Sequence, residues 1–168
     1  MSRPVAKEAL QPEVQVRRAT VEDAAAISRL LLAAFGAIRE RYTDDGFADV
    51  TPNEQIIAGR FEEGALWVAE VDGRVVGSVS LIKEPEGLYV RSMAVLPQFQ
   101  GRGIGHKLLD TLDEYAAGTG VNRIFLYTLP FRLGARELYE KHGYTWVRDT
   151  PADEWYGVPG LEMEKFFK

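Results

Sequence analysis

The chain has 168 residues, 46% of them hydrophobic, and its 20 Lys and Arg against 25 Asp and Glu give a formal net charge of −5. These values predict one globular domain rather than a disordered chain, and they argue against nucleic acid as a partner. The absence of cysteine excludes disulfides and thiol catalysis, and with two histidines we expect no metal site. No apolar stretch is long enough for a signal peptide or a membrane span, so we expect a cytoplasmic protein with no membrane partner.

The first third of the chain predicts a flexible arm, a short strand and two helices. Residues 1–13 are polar and contain two prolines, which is typical of a loose N-terminal arm. The polarity of Val14–Arg17 alternates as it does in a strand. Thr20 then has the chemistry of a helix N-cap, and Thr51 begins a second helix in the same way. Between the two helices, residues 41–50 show no helical period.

The middle of the chain predicts three strands joined by tight turns. Aliphatic and β-branched residues dominate 66–71, 74–82 and 88–95. Asp72-Gly73, between the first two segments, is a preferred sequence for a two-residue hairpin turn. Pro85-Glu86-Gly87 separates the second segment from the third. Strands connected in this way run antiparallel.

A glycine-rich turn follows the third strand and opens an amphipathic helix. Gly101, Gly103 and Gly105 alternate there, and Arg102 adds positive charge. The helix is predicted from apolar residues that recur with a period of about 3.6: Ile104, Leu108, Leu109, Leu112 and Tyr115. The unpaired amides and the dipole of a helix N-terminus favour an anion, and glycine lets the backbone approach it closely. The turn therefore predicts a site for a phosphate or pyrophosphate.

Two common phosphate-binding loops do not fit this turn. A P-loop requires G-x-x-x-x-G-K-[ST], but His106 stands where the second glycine belongs and Leu108 follows Lys107. A dinucleotide-binding turn requires G-x-G-x-x-G, and His106 again occupies the position of the last glycine. The glycines therefore belong to another kind of anion site.

The wider pattern around these glycines resembles the acetyl-CoA-binding motif of the GNAT superfamily of N-acetyltransferases. That motif is [RQ]-x-x-G-x-[GA], here Gln100-x-x-Gly103-x-Gly105, and Met93-Ala94-Val95 precedes it at the end of a strand. The resemblance implies that acetyl-CoA is the co-substrate. It also implies the residues that contact acetyl-CoA: Met93, Ala94, Val95, Gln100, Gly101, Arg102, Gly103, Ile104 and Gly105.

The end of the chain predicts a strand over 122–129, a helix over 133–142, and strands over 145–148 and 161–167. The helix after the glycines would make a right-handed crossover to a parallel strand. The expected fold is therefore α/β (α+β), with a mixed, mostly antiparallel twisted sheet, a central parallel strand pair and helices on both faces. This order of elements is also similar to the GNAT fold, which implies a single GNAT-type acetyltransferase domain over 14–168.

A second segment, residues 133–144, resembles the GNAT motif A-x-x-x-Y-x-x-x-G-[FY]. The tyrosine of that motif lies near the sulfur of CoA and is proposed to protonate the leaving thiolate, a catalytic role that the resemblance gives to Tyr139. The alternative, compatible with the first, is an amphipathic tyrosine packed beside Ala135 and Leu138. Many family members have asparagine three residues before the alanine. This chain has Arg132 there, which could reach a CoA phosphate or lie in solvent.

The implied reaction transfers the acetyl group of acetyl-CoA directly to a primary amine of a small molecule or a protein. The amine must lose a proton, so a base or a water path to one is needed. A backbone amide near Met93–Val95 would stabilise the negative charge on the thioester carbonyl. Some family members have a glutamate as the base at the position of Tyr89. The acidic residues that remain as candidates are Glu70, Glu84, Glu86, Asp44 and Asp45, and the sequence does not choose among them.

Two segments rich in acidic and aromatic residues are candidates for recognition of the acceptor. The first contains Tyr42, Asp44, Asp45, Phe47 and Asp49, and the second contains Asp153, Glu154, Trp155 and Tyr156. Such a mixture suits a cationic amine through charge and cation–π contacts, and it equally suits an ordinary solvated loop. Small amines, aminoglycosides, amino acids and protein amines all stay open as acceptors.

Two alternative functions share the same motifs. The absence of glutamate at position 89 and of asparagine at position 132 supports a non-catalytic domain that senses acetyl-CoA. An acyltransferase that uses another acyl-CoA has no distinguishing residue in the sequence. The oligomeric state is open as well: the last strand, ending in Phe166-Phe167, would support a homodimer if exposed, but not if the chain itself covers that sheet edge.

Overall fold

The computed structural model describes residues 13–130 and 134–167, which form seven strands and five α-helices. The strands are β1 (Val14–Arg18), β2 (Gly64–Val71), β3 (Arg74–Glu84), β4 (Gly87–Val95), β5 (Arg123–Thr128), β6 (Thr145–Thr150) and β7 (Gly160–Phe166). The helices are α1 (Ala24–Gly36), α2 (Asp44–Val50), α3 (Glu54–Arg60), α4 (Ile104–Ala117) and α5 (Ala135–Lys141). Of the predicted N-terminal arm, residues 1–12 lie outside the described part of the chain.

The strands form one mixed sheet in the order β1-β2-β3-β4-β5-β7-β6. All neighbouring strands are antiparallel except β4 and β5, which are parallel because α4 carries the chain from the end of one to the start of the other. The predicted sheet, with its antiparallel meander and central parallel pair, is therefore confirmed. The β2–β3 hairpin closes at Asp72 and Gly73, whose φ values of 51° and 77° match a type I′ turn.

Helices cover both faces of the sheet. Side chains along β2 therefore alternate between two buried core clusters. Trp67 and Ala69 point into one core cluster, whereas Leu66 and Val68 point into the other. The first cluster contains the buried face of α4, namely Ile104, Leu108, Leu109, Leu112 and Ala116. The second contains Ile27 and Leu31 of α1 and Ile57 of α3. None of the helices in 13–130 and 134–167 combines the length and hydropathy needed to cross a membrane.

The parallel pair separates soon after it forms. Pairing between β4 and β5 ends at Val90, which lies opposite Leu126. Beyond Val90 the register with β5 ends, whereas β3 still pairs with β4 as far as Val95. A gap therefore opens between the two central strands.

A β-bulge lies at the start of this gap. Ser80 pairs with Arg91 and Ser78 pairs with Ala94, so β4 has one residue more than β3 over this interval. Within it, Ser92 has a φ of 56°, a left-handed conformation that is uncommon outside glycine. Such local strain tends to be found at functional sites, where the surrounding structure holds it in place.

The sequence prediction is wrong for residues 41–50, where Asp44–Val50 form α2. Seven residues are too few to show a clear helical period, and a helix this short depends on tertiary contacts rather than on propensity. Thr43 caps it by accepting a hydrogen bond from the Gly46 amide at 3.1 Å. The ring of the buried Tyr42 lies 6.2 Å from that of Phe47, which anchors the helix to the core.

The cap of α3 is also two residues later than predicted. Asn53 is the N-cap, because its Oδ1 accepts a hydrogen bond from the Ile56 amide at 2.9 Å. The predicted cap, Thr51, instead ends α2, and its hydroxyl donates to the Phe47 carbonyl at 2.6 Å. Thr and Asn are both strong N-cap residues, so the local sequence could not rank them once α2 had been missed.

The last strand is not an edge of the sheet. β7 lies between β5 and β6, so the chain covers it on both sides. Leu161 and Met163 are buried there, while Phe166 at the end of β7 is exposed. The strand that was considered for a homodimer is thus covered by β6, which is one of the two alternatives that the sequence left open.

Candidate active site

One cleft lies between the end of β4, the turn before α4, and α5. We call it the glycine-turn cleft, and it encloses about 670 Å³. Every site residue implied by the resemblance lines it except Arg102, whose guanidinium lies over the Phe99 ring at 4.8 Å. The site residues that line it are Met93, Ala94, Val95, Gln100, Gly101, Gly103, Ile104, Gly105 and Tyr139.

Two glycines give this cleft its shape. Gly101 and Gly103 have φ values of 82° and 80°, which any other residue adopts only under strain. A Cβ added to either would meet nothing within 4 Å, so the space before the first turn of α4 is open. The unpaired amides at that end of α4 face a region where an anion could bind.

The third glycine of the turn has a different role. A Cβ on Gly105 would lie 2.8 Å from Leu138 Cδ2 and 3.3 Å from Met93 Cε, closer than side chains pack. Gly105 therefore lets α4 approach α5. We expect Gly105→Ala to lower the free energy of unfolding by about 1–3 kcal/mol, the usual result of overpacking a core. Urea denaturation measures this, and an unchanged unfolding midpoint would contradict the packing role.

Gln100 holds the turn against the sheet. Its Nε2 donates a hydrogen bond to the Val95 carbonyl at 3.1 Å, at the end of β4. This hydrogen bond gives Gln100, at the first position of the motif, a structural role that does not depend on a bound ligand. A contact of Gln100 with the co-substrate stays a prediction.

Tyr139 is almost fully buried, at 3% exposure, on α5. Its ring lies 5.7 Å from that of Tyr144 at an angle of 64°. Ala135 and Leu138, named as packing neighbours in the alternative, lie on the same helix and line the same cleft. Arg132 lies outside the described residues, so its two alternatives stay open.

The second cleft lies between the separated strands, and we call it the strand-gap cleft. It encloses about 520 Å³ and is lined by β4 and β5 at its base, with α2 and the segment before β7 around it. Three residues line both clefts: Phe35, Met93 and Tyr139. The two clefts therefore meet at β4, next to the bulge at Ser92.

Comparison with known proteins agrees with this geometry. Residues 25–144 match the profile of the acetyltransferase (GNAT) family. This chain belongs to the GNAT family. An uncharacterized N-acetyltransferase of Bacillus subtilis is 30% identical over 139 residues, which are 78% of this chain and 89% of that protein. The amino-acid acetyltransferase of Mycobacterium tuberculosis is 30% identical over 141 residues, which are 81% of this chain and 71% of that protein.

Solved structures show the same architecture. The PaiA N-acetyltransferase of Thermoplasma acidophilum in complex with coenzyme A superimposes with a TM-score of 0.77 at 16% identity. The match covers 92% of this chain and 99% of that one, so the GNAT fold extends over nearly all of the protein. As a member of this family, the protein is an acetyl-CoA-dependent acyltransferase.

The two segments predicted to recognise the acceptor meet beside the strand-gap cleft of the GNAT domain. Trp155 Nε1 donates to Asp49 Oδ2 at 3.0 Å, and the rings of Tyr42 and Trp155 are 6.2 Å apart. These three residues and Glu154 line the cleft. The other predicted residues are not part of its lining: Asp44, Asp45, Phe47, Asp153 and Tyr156.

The carboxylates considered as the general base lie in different surroundings. Glu70 of β2 is held at 3.1 Å by Arg17 of the edge strand β1, and it lines neither cleft. Glu84 and Glu86 are exposed at the rim of the strand-gap cleft. Glu154 also lines it, but Arg148 lies 2.9 Å away and holds the pKa of that carboxyl below its ordinary value.

Tyr89, at the position where some GNAT enzymes have a glutamate, does not replace that base. Its ring stacks on Phe125 with centroids 5.4 Å apart, and burial raises the pKa of its phenol. A phenol with a raised pKa stays protonated at neutral pH, so it does not accept a proton from the amine. Tyr89 instead forms part of the apolar base of the strand-gap cleft.

One functional candidate, Arg60, was not predicted from the sequence. It is the last residue of α3, only 7% of it is exposed, and its Nη1 donates to Ser92 Oγ at 3.0 Å in the strand-gap cleft. Burial, with the nearby charge of Arg91, lowers the pKa of the Arg60 guanidinium to about 10. A cation at the end of a helix is usually solvated. Its spacing could have indicated that it is buried, because Arg60 follows the buried Ile57 by three residues and lies on the same helix face.

A further polar cluster joins α4, α5 and β7. His142 Nε2 lies 3.1 Å from Asp110 Oδ1 and 3.3 Å from Asp113 Oδ2, an arrangement that metal ligands also adopt. Lys165 Nζ, however, lies 2.7 Å from Asp113 Oδ2 and already places a cation there. We therefore interpret the cluster as an ion-pair network between elements.

Proposed function

We propose that the protein transfers the acetyl group of acetyl-CoA directly to a primary amine. The observation that carries this proposal is the pair of clefts on β4 that meet at Met93 and Tyr139. A donor bound in one and an acceptor bound in the other would bring the thioester and the amine together, and direct transfer needs this geometry. The relative from M. tuberculosis, described by its name as acting on amino acids, supports an amine as acceptor.

Acetyl-CoA would occupy the glycine-turn cleft. Its pyrophosphate suits the open space before α4, where Gly101 and Gly103 leave the backbone amides accessible. Its pantetheine arm is amide-rich and can lie along β4 beyond Val90, where the register with β5 ends. The thioester would then lie where the two clefts meet.

The amine would attack the thioester carbonyl from the strand-gap cleft. A C–N bond forms, the oxygen gains negative charge, and a backbone amide of β4 near Met93 stabilises it. The C–S bond then breaks, and the Tyr139 hydroxyl gives its proton to the departing thiolate before regaining one from solvent. The proton of the amine leaves through water toward the rim, where Glu84 and Glu86 are exposed.

Thiol release from acetyl-CoA, measured with a panel of primary amines, tests this function. We expect saturable release with at least some amines, together with an acetylated amine product detected by mass spectrometry. The same assay with alcohols as acceptors and with longer acyl-CoA donors serves as control. Acetyl-CoA binding without release on any amine would contradict the proposed transfer.

A further inference from the structure

Arg60 is a buried cation on which the charges of Asp49 and Glu63 act only from beyond ion-pair distance. In residues 13–130 and 134–167 no carboxylate forms an ion pair with it, and its hydrogen-bond partner is the neutral Ser92 hydroxyl. We propose that the acceptor amine carries a carboxylate, as an α-amino acid does, and that Arg60 binds this carboxylate. The inference rests on the proposed function and names the class of its acceptor.

The less buried arginines near carboxylates provide a comparison. Three of them each contact two carboxylates within 3.1 Å: Arg17, Arg123 and Arg148. Arg91, which lines the same cleft as Arg60, is paired with Glu63 at 3.0 Å. All four are more exposed than Arg60. Some exposed arginines, such as Arg18, Arg74 and Arg102, also have no ion pair, but water solvates their charge. Among the described arginines, Arg60 is buried and still has no carboxylate within ion-pair distance.

Burying a charge without an ion pair is unfavourable, and this burial lowers the pKa of Arg60. A pKa of about 10 still leaves the guanidinium charged at neutral pH. An anionic ligand would restore the missing interaction, and a guanidinium offers two parallel N–H donors that match a carboxylate. Perturbed charged groups in a cleft are candidates for ligand binding on this ground.

The position of Arg60 suits a carboxylate close to the reacting amine. Its partner Ser92 directly precedes Met93, where the two clefts meet, and the bulge at Ser92 fixes the backbone there. In an α-amino acid one carbon separates the carboxylate from the amine. A carboxylate on Arg60 therefore keeps the amine beside the thioester position.

Thr128 adds a second polar group to the same cleft. It is 2% exposed, lines the cleft, and its Oγ1 has no hydrogen-bond partner in the described part of the chain. A buried hydroxyl without a partner is costly, so a polar ligand group would stabilise it. The base of the strand-gap cleft thus offers a cation and a hydroxyl to one small polar acceptor.

The acidic rim agrees with a zwitterionic acceptor rather than a simple cation. Asp49, Glu84 and Glu86 are exposed at the opening, whereas the cation Arg60 lies inside. The rim favours approach of an ammonium group, and the buried guanidinium then selects molecules that also carry a carboxylate. A polyamine without a carboxylate would place its positive charge against Arg60.

Matched acceptors test the inference. Alanine, leucine and phenylalanine are each compared with the corresponding amide and decarboxylated amine, using kcat/KM from thiol release. For the wild type we expect the amino acids to exceed their amides by at least about tenfold, because a hydrogen-bonded charge pair contributes that much or more. In Arg60→Met this ratio should fall close to one, and Arg60→Lys should keep part of it.

Arg91→Met is the matched control, because it removes the same charge from the same cleft at a residue already paired with Glu63. It should keep a ratio of about tenfold. A ratio lost in Arg91→Met and kept in Arg60→Met would overturn the assignment to Arg60. If the wild type uses amino acids and their amides equally well, the acceptor does not need a carboxylate, and the inference is overturned. The proposed acetylation of amines would still stand. No use of any amine would contradict the proposed function first.

Thermal unfolding separates a ligand-binding role from a structural one. Removal of a buried charge without a carboxylate partner should leave the Tm of Arg60→Met unchanged or higher, while the preference for amino acids is lost. A structural link between α3 and β4 through Ser92 would instead lower the Tm by roughly 4 °C or more. That decrease, with the acceptor preference kept, would overturn the inference.

Discussion

Gly103→Glu is expected to abolish the binding of acetyl-CoA. Gly103 caps α4 with a φ of 80°, it lines the glycine-turn cleft, and a Cβ added there would meet nothing within 4 Å. A glutamate would fill the space that the pyrophosphate needs and would place a negative charge beside it. Like charges brought together at a binding site cost several kcal/mol, so we expect affinity to fall by at least about 100-fold in calorimetric titration.

Gly120→Glu provides the control for this variant. Gly120 follows α4, has a φ of 77°, also has open space at its Cβ position, and lines neither cleft. Both substitutions therefore introduce the same charge and a similar backbone strain of about 1–2 kcal/mol. Only Gly103→Glu should lose acetyl-CoA affinity. Equal affinities in the two variants, with both folded, would refute the glycine turn as the pyrophosphate site.

Tyr139→Phe should reduce kcat by about 100-fold or more, because loss of a positioned general acid usually costs 10²–10⁴ in rate. The substitution keeps the ring that packs against Tyr144 and removes only the hydroxyl where the two clefts meet. The dissociation constant of acetyl-CoA should stay within about twofold, since the hydroxyl acts on the leaving thiolate in the transition state. Steady-state thiol release and calorimetry measure the two quantities.

Tyr144→Phe removes a hydroxyl from the neighbouring ring and is the matched control. Tyr144 is as buried as Tyr139 but lines neither cleft, and burial raises the pKa of its phenol. Its hydroxyl has no hydrogen-bond partner among the residues described, so its loss should not reduce stability. If both variants keep the wild-type kcat, Tyr139 is a packing residue, and protonation of the thiolate must come from solvent.

Local signals predicted the parts of the fold that depend on few residues. Asp72-Gly73 fixes the register of β2 with β3, and the turn chemistry needs only those two positions. Gly103 and the apolar period of α4 likewise mark a helix N-terminus within one short segment. Because α4 must return the chain to a parallel neighbour, the central pair of strands follows from these elements.

The missed features depend on contacts between distant residues. α2 is held by aromatic contacts of Tyr42, including one with Trp155 more than a hundred residues later, which no local pattern shows. Arg60 looks like an ordinary charge at the end of a helix until Ser92 and the separated strands bury it. The glycine turn could thus be predicted from the sequence, whereas the strand-gap cleft required the tertiary structure.

Calorimetric titration of the wild-type protein with acetyl-CoA is the decisive experiment for the proposed donor site. We expect one acetyl-CoA to bind per chain, with a dissociation constant in the micromolar to low millimolar range that is common for enzyme substrates. We also expect free CoA to compete for the same site. Absence of binding at millimolar acetyl-CoA, in a protein shown to be folded, would mean that the glycine turn is only structural and would refute the proposed acetyl transfer.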